Sequence, residues 1–264
     1  MKDIKAYFME RKANKDPLVM LTSYGFTMGH LLDDLGLDAI LVGDSLGNVF
    51  QGKDNTLEVT LEEMIYHTLA VKRAVKNTYV VVDLPHKSGE KMIEDSMADA
   101  LRLYEESHAD ALKIEVQPSR LSLVHQLAQR GVPVMGHIGF TPQFLGLLGG
   151  YFVQGRKDGD ARMILDIAEM LYHMGVFALL MEMVPNRLSS QITEAYPIPT
   201  IGIGAGPHCD GQILVTEDLC GFHSKTPRFV KQYGQAATEI RKSVNLFKAD
   251  VKSRRFPEQS HSFD

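Results

Sequence analysis

Eight apolar segments rich in Val, Ile and Leu alternate with amphipathic stretches along 264 residues. This alternation predicts an α/β fold, a single (β/α)8 TIM barrel spanning 1–264 with an extra N-terminal helix. Such barrels take about 250 residues. A near-continuous apolar run marks a strand buried on both faces, as in a parallel sheet wrapped by helices. Acidic residues end three of the runs: Ile40-Leu41-Val42-Gly43-Asp44, Val80-Val81-Val82-Asp83 and Leu112-Lys113-Ile114-Glu115. A doubly wound open sheet shares the alternation, but the last connections are short. Gly202-Ile203-Gly204-Ala205-Gly206 leads quickly to Gly211-Gln212-Ile213-Leu214-Val215, which favours closure.

Residues 2–12 read as the extra helix, placed to plug the amino-terminal mouth. Strands are expected at 17–22, 38–43, 78–84, 110–115, 132–137, 176–182, 198–203 and 212–215. From Thr60 the chain shows a capping box, with Glu63 three residues on, so each side chain satisfies the other's free backbone donor. Leu61, Met64, Ile65 and Leu69 then share one helical face. Met163, Ile164, Ile167, Leu171 and Met174 form a similar stripe, which Gly175 terminates. No linker or low-complexity tract breaks the pattern, so one domain is expected.

A net charge of −5 gives no electrostatic footprint for nucleic acid, and Lys252, Arg254 and Arg255 read as a solvated helix tail. The two cysteines, Cys209 and Cys220, lack zinc-type or redox-type spacing, which suits a reducing cytosol. The N-terminus has no signal-peptide core, and no apolar run reaches membrane-spanning length. The expectation is a cytoplasmic protein with no nucleic-acid or membrane partner.

In a barrel the chemistry gathers at the carboxyl ends of the strands. That rule selects Tyr24, Asp44, Ser45, Asp83, Lys113, Glu115, His137, Glu182 and the 202–206 loop. Buried carboxylates need a compensating cation or hydrogen-bond donors. Three of them without cysteine suit a hard, oxygen-loving Mg2+, although any single Asp could instead cap a helix. Lys113 offers a compact charge for a substrate carboxylate; strand alternation also puts it on the face of Glu115, where the two could pair. Glu182 ends an apolar run that would raise its pKa and make it a base, the alternatives being a metal ligand or a cap for the helix at Asn186. His137 and Tyr24 are second-rank site residues, each equally readable as structural. The glycine loop resembles a phosphate-binding turn but lacks dinucleotide spacing, so no nucleotide cofactor is expected.

The ordered motifs Gly43-Asp44-Ser45-Leu46-Gly47, Gln51-Gly52, Tyr66-His67-Thr68, Asp83-Leu84-Pro85 and Lys113-Ile114-Glu115 resemble the ketopantoate hydroxymethyltransferase family. So do Gly136-His137-Ile138-Gly139-Phe140-Thr141-Pro142-Gln143, Gly149-Gly150-Tyr151 through Gly155-Arg156, Ile201–Gly206, Asp210–Val215 and His261-Ser262-Phe263. The resemblance covers nearly the whole chain. It implies Mg2+ and 5,10-methylenetetrahydrofolate, with a one-carbon unit passed to 3-methyl-2-oxobutanoate to give 2-dehydropantoate for coenzyme A synthesis. It further implies Asp44, Asp83 and Glu115 as metal ligands, Asp44, Ser45, Asp83 and Lys113 as keto-acid contacts, and Glu182 as proton acceptor. A 2-keto acid chelates such an ion, which then stabilises the enolate. The family's large homo-oligomer, a decamer, is also implied, with Phe144, Leu147 and Leu148 as exposed apolar candidates for an interface or a pocket lid. Two segments depart from the family pattern. His86-Lys87 stands where an aromatic residue is usual, and Val116-Gln117-Pro118 where glycine is usual.

The rival enzyme reading is a Mg-dependent lyase or mutase of the phosphoenolpyruvate/isocitrate lyase type. It calls for a catalytic cysteine on a loop beside the site, and neither Cys209 nor Cys220 lies in such a motif. The non-enzymatic alternative, a degenerate barrel, calls for a lost carboxylate or base, yet all are present.

Overall fold

Eight parallel strands close on themselves in chain order in the computed structural model, which describes residues 3–263. They are β1 (Leu18–Thr22), β2 (Ala39–Val42), β3 (Tyr79–Asp83), β4 (Ala111–Glu115), β5 (Val134–Gly139), β6 (Ala178–Glu182), β7 (Thr200–Ile203) and β8 (Gly211–Leu214). Each falls within or overlaps its expected segment, and β8 pairs back to β1.

Helix α1 (Ile4–Ala13) precedes the barrel, followed by α2 (Phe26–Asp33), the short α3 (Leu46–Val49) and α4 (Leu61–Ala74). The short α5 (His86–Gly89), then α6 (Ile93–Ser107), α7 (Leu121–Gln129), the short α8 (Leu145–Leu148), α9 (Asp158–Met174) and α10 (Asn186–Ala195) continue the series. The capping box forms at Thr60 and Glu63, with Thr60 N–H donating to Glu63 Oε2 at 2.7 Å. Gly175 ends α9 in the left-handed conformation. One residue of the expected α9 stripe faces outward: Met163 is 47% exposed, while Ile164, Ile167 and Leu171 are buried. No helix separates β7 from β8, because the seven residues 204–210 are too few for a helix and its turns. The 202–206 loop is therefore not followed by a helix N-terminus that could cradle phosphate.

The chain falls into two compact units, Met1–Leu214 and Val215–Asp264. The second contains the short α11 (Thr216–Leu219) and α12 (Ala236–Lys252), whose residues are all exposed or half-buried.

Strand alternation divides the first unit's core in two. Outward side chains such as Ile40, Val42, Val80, Val82, Leu112 and Ile114 pack under the helices. Inward ones, among them Leu18, Met20, Leu41, Val81, Met135 and Leu180, fill the barrel. Helix α1 closes the amino-terminal end, with Phe8 fully buried edge-on to Phe177 at 5.3 Å. Its Lys12 ammonium donates to the carbonyls of Thr193, Tyr196 and Ile198 and to Asp210 Oδ2 at 2.9–3.0 Å.

Phe8→Ala removes a ring from this floor and should cost about 3–5 kcal/mol of stability. Chemical denaturation checks this. An unchanged midpoint would mean that α1 does not support the barrel.

Candidate active site

The same alternation that fills the barrel delivers its polar top. Two residues beyond Val81 comes Asp83; two beyond Ala111 comes Lys113, then Glu115; two beyond Met135 comes His137; two beyond Leu180 comes Glu182. Register sets them side by side, pairing Asp83 with Lys113 and Glu115 with His137 across neighbouring strands. Asp44 and Ser45 follow β2 on the adjoining loop. Gly139 ends β5 with φ +92°, and a Cβ there would collide with the Glu182 carbonyl, so only glycine lets these strand ends meet.

Lys113 is the hub. Its buried ammonium meets Asp83 Oδ1 at 2.7 Å and donates to His137 Nδ1 at 3.2 Å. The sequence left a pairing with Glu115 open; the direct partner is Asp83, and Glu115 acts through its charge. Burial pulls the ammonium's pKa down, but the charges of Asp83, Glu115 and Asp44 more than reverse this, so Lys113 stays protonated. An ammonium only donates, so His137 Nδ1 must accept and the ring carries its proton on Nε2. That nitrogen lies 3.5 Å from Glu182 Oε2. Burial, reinforced by Lys113, pushes the imidazole pKa well below its ordinary value and keeps it neutral.

The carboxylates shift the other way. Asp44 rises to about 7 through burial and then the charge of Asp83. Asp83 rises through burial, against the pull of Lys113. Glu115 rises well above its usual range through burial and the charge of Asp44. Glu182 rises to about 8, chiefly through burial, and keeps an edge open to solvent. Asp44 N–H donates to Asp83 Oδ2 at 3.0 Å, and its own side chain accepts from Gln143 Nε2 at 2.7 Å. Neither Asp44 nor Glu182 caps a helix: α3 and α10 follow Ser45 and Pro185 and have no side-chain cap. Tyr24 is a buried ring whose hydroxyl lies 2.8 Å from Ser45 Oγ, while its carbonyl contacts His67 Nδ1 at 2.6 Å.

All eight expected residues thus belong to one connected cluster. Sequence reasoning missed the supporting Gln143, Arg120 and His67. Gln143 accepts from Arg120 Nη1 at 2.5 Å, and its backbone N–H donates to Glu115 Oε2 at 2.8 Å. Phe144 was expected to be exposed; it is 5% exposed, and its ring stacks with the Arg120 guanidinium. Leu147 is exposed and Leu148 half-buried.

Four buried or half-buried carboxyl groups gather around one ammonium, while the Arg120 guanidinium is paired with Glu90, so when ionised they carry a negative excess that a divalent cation would offset. The all-oxygen donor set suits Mg2+, which needs only one or two direct carboxylates beside water and substrate oxygens. Among the described residues, no three His, Cys, Asp or Glu side chains already converge on one point. The fit is thus one of charge and donor type.

A family model described as ketopantoate hydroxymethyltransferase matches residues 4–259. The 3-methyl-2-oxobutanoate hydroxymethyltransferases of Bacillus thuringiensis (strain Al Hakam) and Bacillus anthracis are each 44% identical over 260 residues, covering 98% of this chain and 93% of theirs. Phosphoenolpyruvate phosphomutase from Streptomyces platensis subsp. rosaceus shares the fold at TM-score 0.60 and 14% identity, over 93% of this chain and 88% of its own. A 2,3-dimethylmalate lyase of the PEP mutase/isocitrate lyase superfamily gives 0.61 and 14%, over 95% and 89%. At these identities the likeness to the solved structures is one of fold.

The raised carboxyl groups make stability depend on pH. Asp44 and Glu182 hold protons to about 7 and about 8 when folded, against ordinary values of 3.8 and 4.5. Between these limits the folded state binds more protons than the unfolded chain, so their contribution is full below about pH 4 and is lost as pH rises through 7–8. Metal-free protein should therefore melt lower at pH 8 than at pH 5, and added Mg2+ should restore more at the higher pH. Calorimetry with and without Mg2+ decides; a metal-free Tm that climbs across this range contradicts the electrostatics.

Proposed function

The chain belongs to the ketopantoate hydroxymethyltransferase family, and from that membership we propose the transfer of a hydroxymethyl group from 5,10-methylenetetrahydrofolate to 3-methyl-2-oxobutanoate. The product is 2-dehydropantoate, in pantothenate biosynthesis. One observation carries the reading beyond family membership. Glu182, a carboxyl group raised to about 8, belongs to a strand-end cluster whose ammonium, Lys113, stays charged.

In this reading Lys113 pairs with the keto acid's carboxylate, and Ser45, oriented by Tyr24, donates a hydrogen bond to it. Asp44, Asp83 and Glu115 would hold Mg2+, which when bound supplies Lewis-acid polarisation of the substrate ketone. Glu182 removes the proton from C3, the carbon beside that ketone. Its displaced pKa makes it a stronger base than an exposed glutamate and leaves it partly ionised near neutral pH. Neutral His137, whose Nε2 lies 3.5 Å from Glu182, does not compete for the proton. Asp44 and Asp83 also border the keto acid.

The lyase or mutase reading shares the fold but not the sequence kinship. Cys209 lies just before β8, at the amino-terminal end of the barrel and away from the strand-end carboxylates, and burial lifts its thiol to about 11. Among the described residues no helix is long and apolar enough to cross a membrane, and we place the enzyme in the cytoplasm. Ile240, Val244, Phe247 and Val251 form an exposed apolar stripe on α12, at 45–56% exposure. Such a stripe supports a homo-oligomer, expected as a decamer. Light scattering at micromolar concentration checks this, and a monomeric mass contradicts it.

The decisive assay supplies 3-methyl-2-oxobutanoate and methylenetetrahydrofolate with Mg2+ and follows 2-dehydropantoate; full activity after verified chelation would contradict the metal reading. Glu182→Gln keeps the shape but removes the basicity, so the rate should fall by roughly 10²–10⁴ with keto-acid binding retained. Exchange of the C3 proton with deuterated solvent should slow in parallel. A variant that exchanges normally once metal saturates places the base elsewhere.

A further inference from the structure

Arg120 heads the largest fully buried side chains, yet the proposed reaction gives it no part. Its guanidinium ties together three segments at the strand ends. Nη1 donates to Gln143 Oε1 at 2.5 Å and to the Glu115 carbonyl at 3.3 Å. Nη2 donates to the His86 carbonyl at 3.3 Å and to Glu90 Oε1 at 3.1 Å. The group sits 4.5 Å from the centre of the Phe144 ring. Gly89 leaves it room, since a Cβ there would stand 2.5 Å from the guanidinium carbon.

This contact fixes which way round the Gln143 amide lies. A guanidinium has no acceptor, so it must face the amide oxygen. The amide nitrogen then points at two acceptors, Asp44 Oδ2 at 2.7 Å and the Leu84 carbonyl at 3.0 Å. A flipped amide would set oxygen against the Asp44 carboxylate and N–H against Arg120. The Gln143 backbone meanwhile holds Glu115 Oε2. The two segments that depart from the family pattern meet here. The His86 ring lies edge-on to Phe144 at 6.2 Å, and Gln117 Nε2 donates to Thr141 Oγ1 at 3.1 Å.

We propose that Arg120 is a positioning residue: by fixing the Gln143 amide it holds Asp44 and Glu115 in the arrangement that receives a divalent cation and a keto acid. This rests on the reading of the pocket given above. A guanidinium that merely staples loops together would support stability alone.

Arg120→Met keeps the length and the contact with Phe144 but removes the donors. Its affinity for Mn2+, read by calorimetry on the full chain, should fall about 10–100-fold, the usual worth of a residue behind a metal ligand. Its KM for the keto acid should rise, while circular dichroism shows a folded barrel. Arg120→Lys should recover part of the affinity, and it carries the same measurement if the methionine variant does not fold. Gln143→Met should lose as much, and the double variant no more, because the two act in series. Wild-type Mn2+ affinity in Arg120→Met with a lowered Tm, or losses that add in the double variant, would overturn the proposal. If the wild-type protein itself binds no Mn2+, the pocket reading fails, and metal-free crystals of Arg120→Met judge the brace alone. Gln143 swung off Asp44 there supports it, and Gln143 still on Asp44 overturns it.

Discussion

A buried ammonium among carboxylates, on an apolar floor, is the constraint that organises this molecule. Lys113 can be charged inside the barrel only because Asp83, Glu115 and Asp44 surround it, and those carboxylates can be buried only because it is there. The floor beneath them, Leu41, Val81, Met135 and Leu180 above Phe8 and Phe177, keeps water from relieving either sign from below. The layer carries more negative charge than it neutralises. Every carboxyl group in it holds its proton more tightly than usual, which is the electrostatic form of an appetite for a cation.

Within that layer the carboxylates divide by environment. Asp83 has Lys113 in direct contact, and Asp44 has the Gln143 amide and receives a lowering pull from Lys113. Among the described residues the Glu182 carboxylate has no such donor, and a neutral imidazole lies 3.5 Å away. All four carboxyl groups are raised, Asp44 to about 7 and Glu182 to about 8, so contacts rather than protonation set Glu182 apart, and the proposed reading gives the proton-accepting role to the group that no ammonium or amide holds.

Most of this was legible in the sequence because period-two alternation is local. Once eight apolar runs are read as barrel strands, the position of Asp83, Lys113, Glu115, His137 and Glu182 relative to the lumen follows from counting. What escaped depends on contacts far apart in the chain. Gln143 reaches Asp44 across 99 positions, and Arg120 reaches His86 across 34; no periodicity announces either. Phe144 looked exposed because its neighbours Leu145, Leu147 and Leu148 are apolar in a glycine-rich loop. Its ring is covered by a cation instead, which hydrophobic pattern does not reveal. Arg120 did leave one trace, a basic residue five positions after the strand-end carboxylate Glu115.

Fold alone cannot select the chemistry. Barrels at 14% identity superpose on this chain over most of its length, so strand order and closure are compatible with lyase and mutase reactions too. Selection lies in which side chains occupy the last inward step of each strand. Here that step supplies carboxylates, one ammonium and one imidazole, while the cysteine of the barrel, Cys209, is at the other end with its thiol held protonated. A site with a protonated ammonium, a neutral histidine and a poised carboxylate is equipped to take a proton from carbon beside a polarised ketone. With Cys209 at the opposite end of the barrel, the strand ends, read one by one, accord with the proposed carbon–carbon bond formation through an activated keto acid.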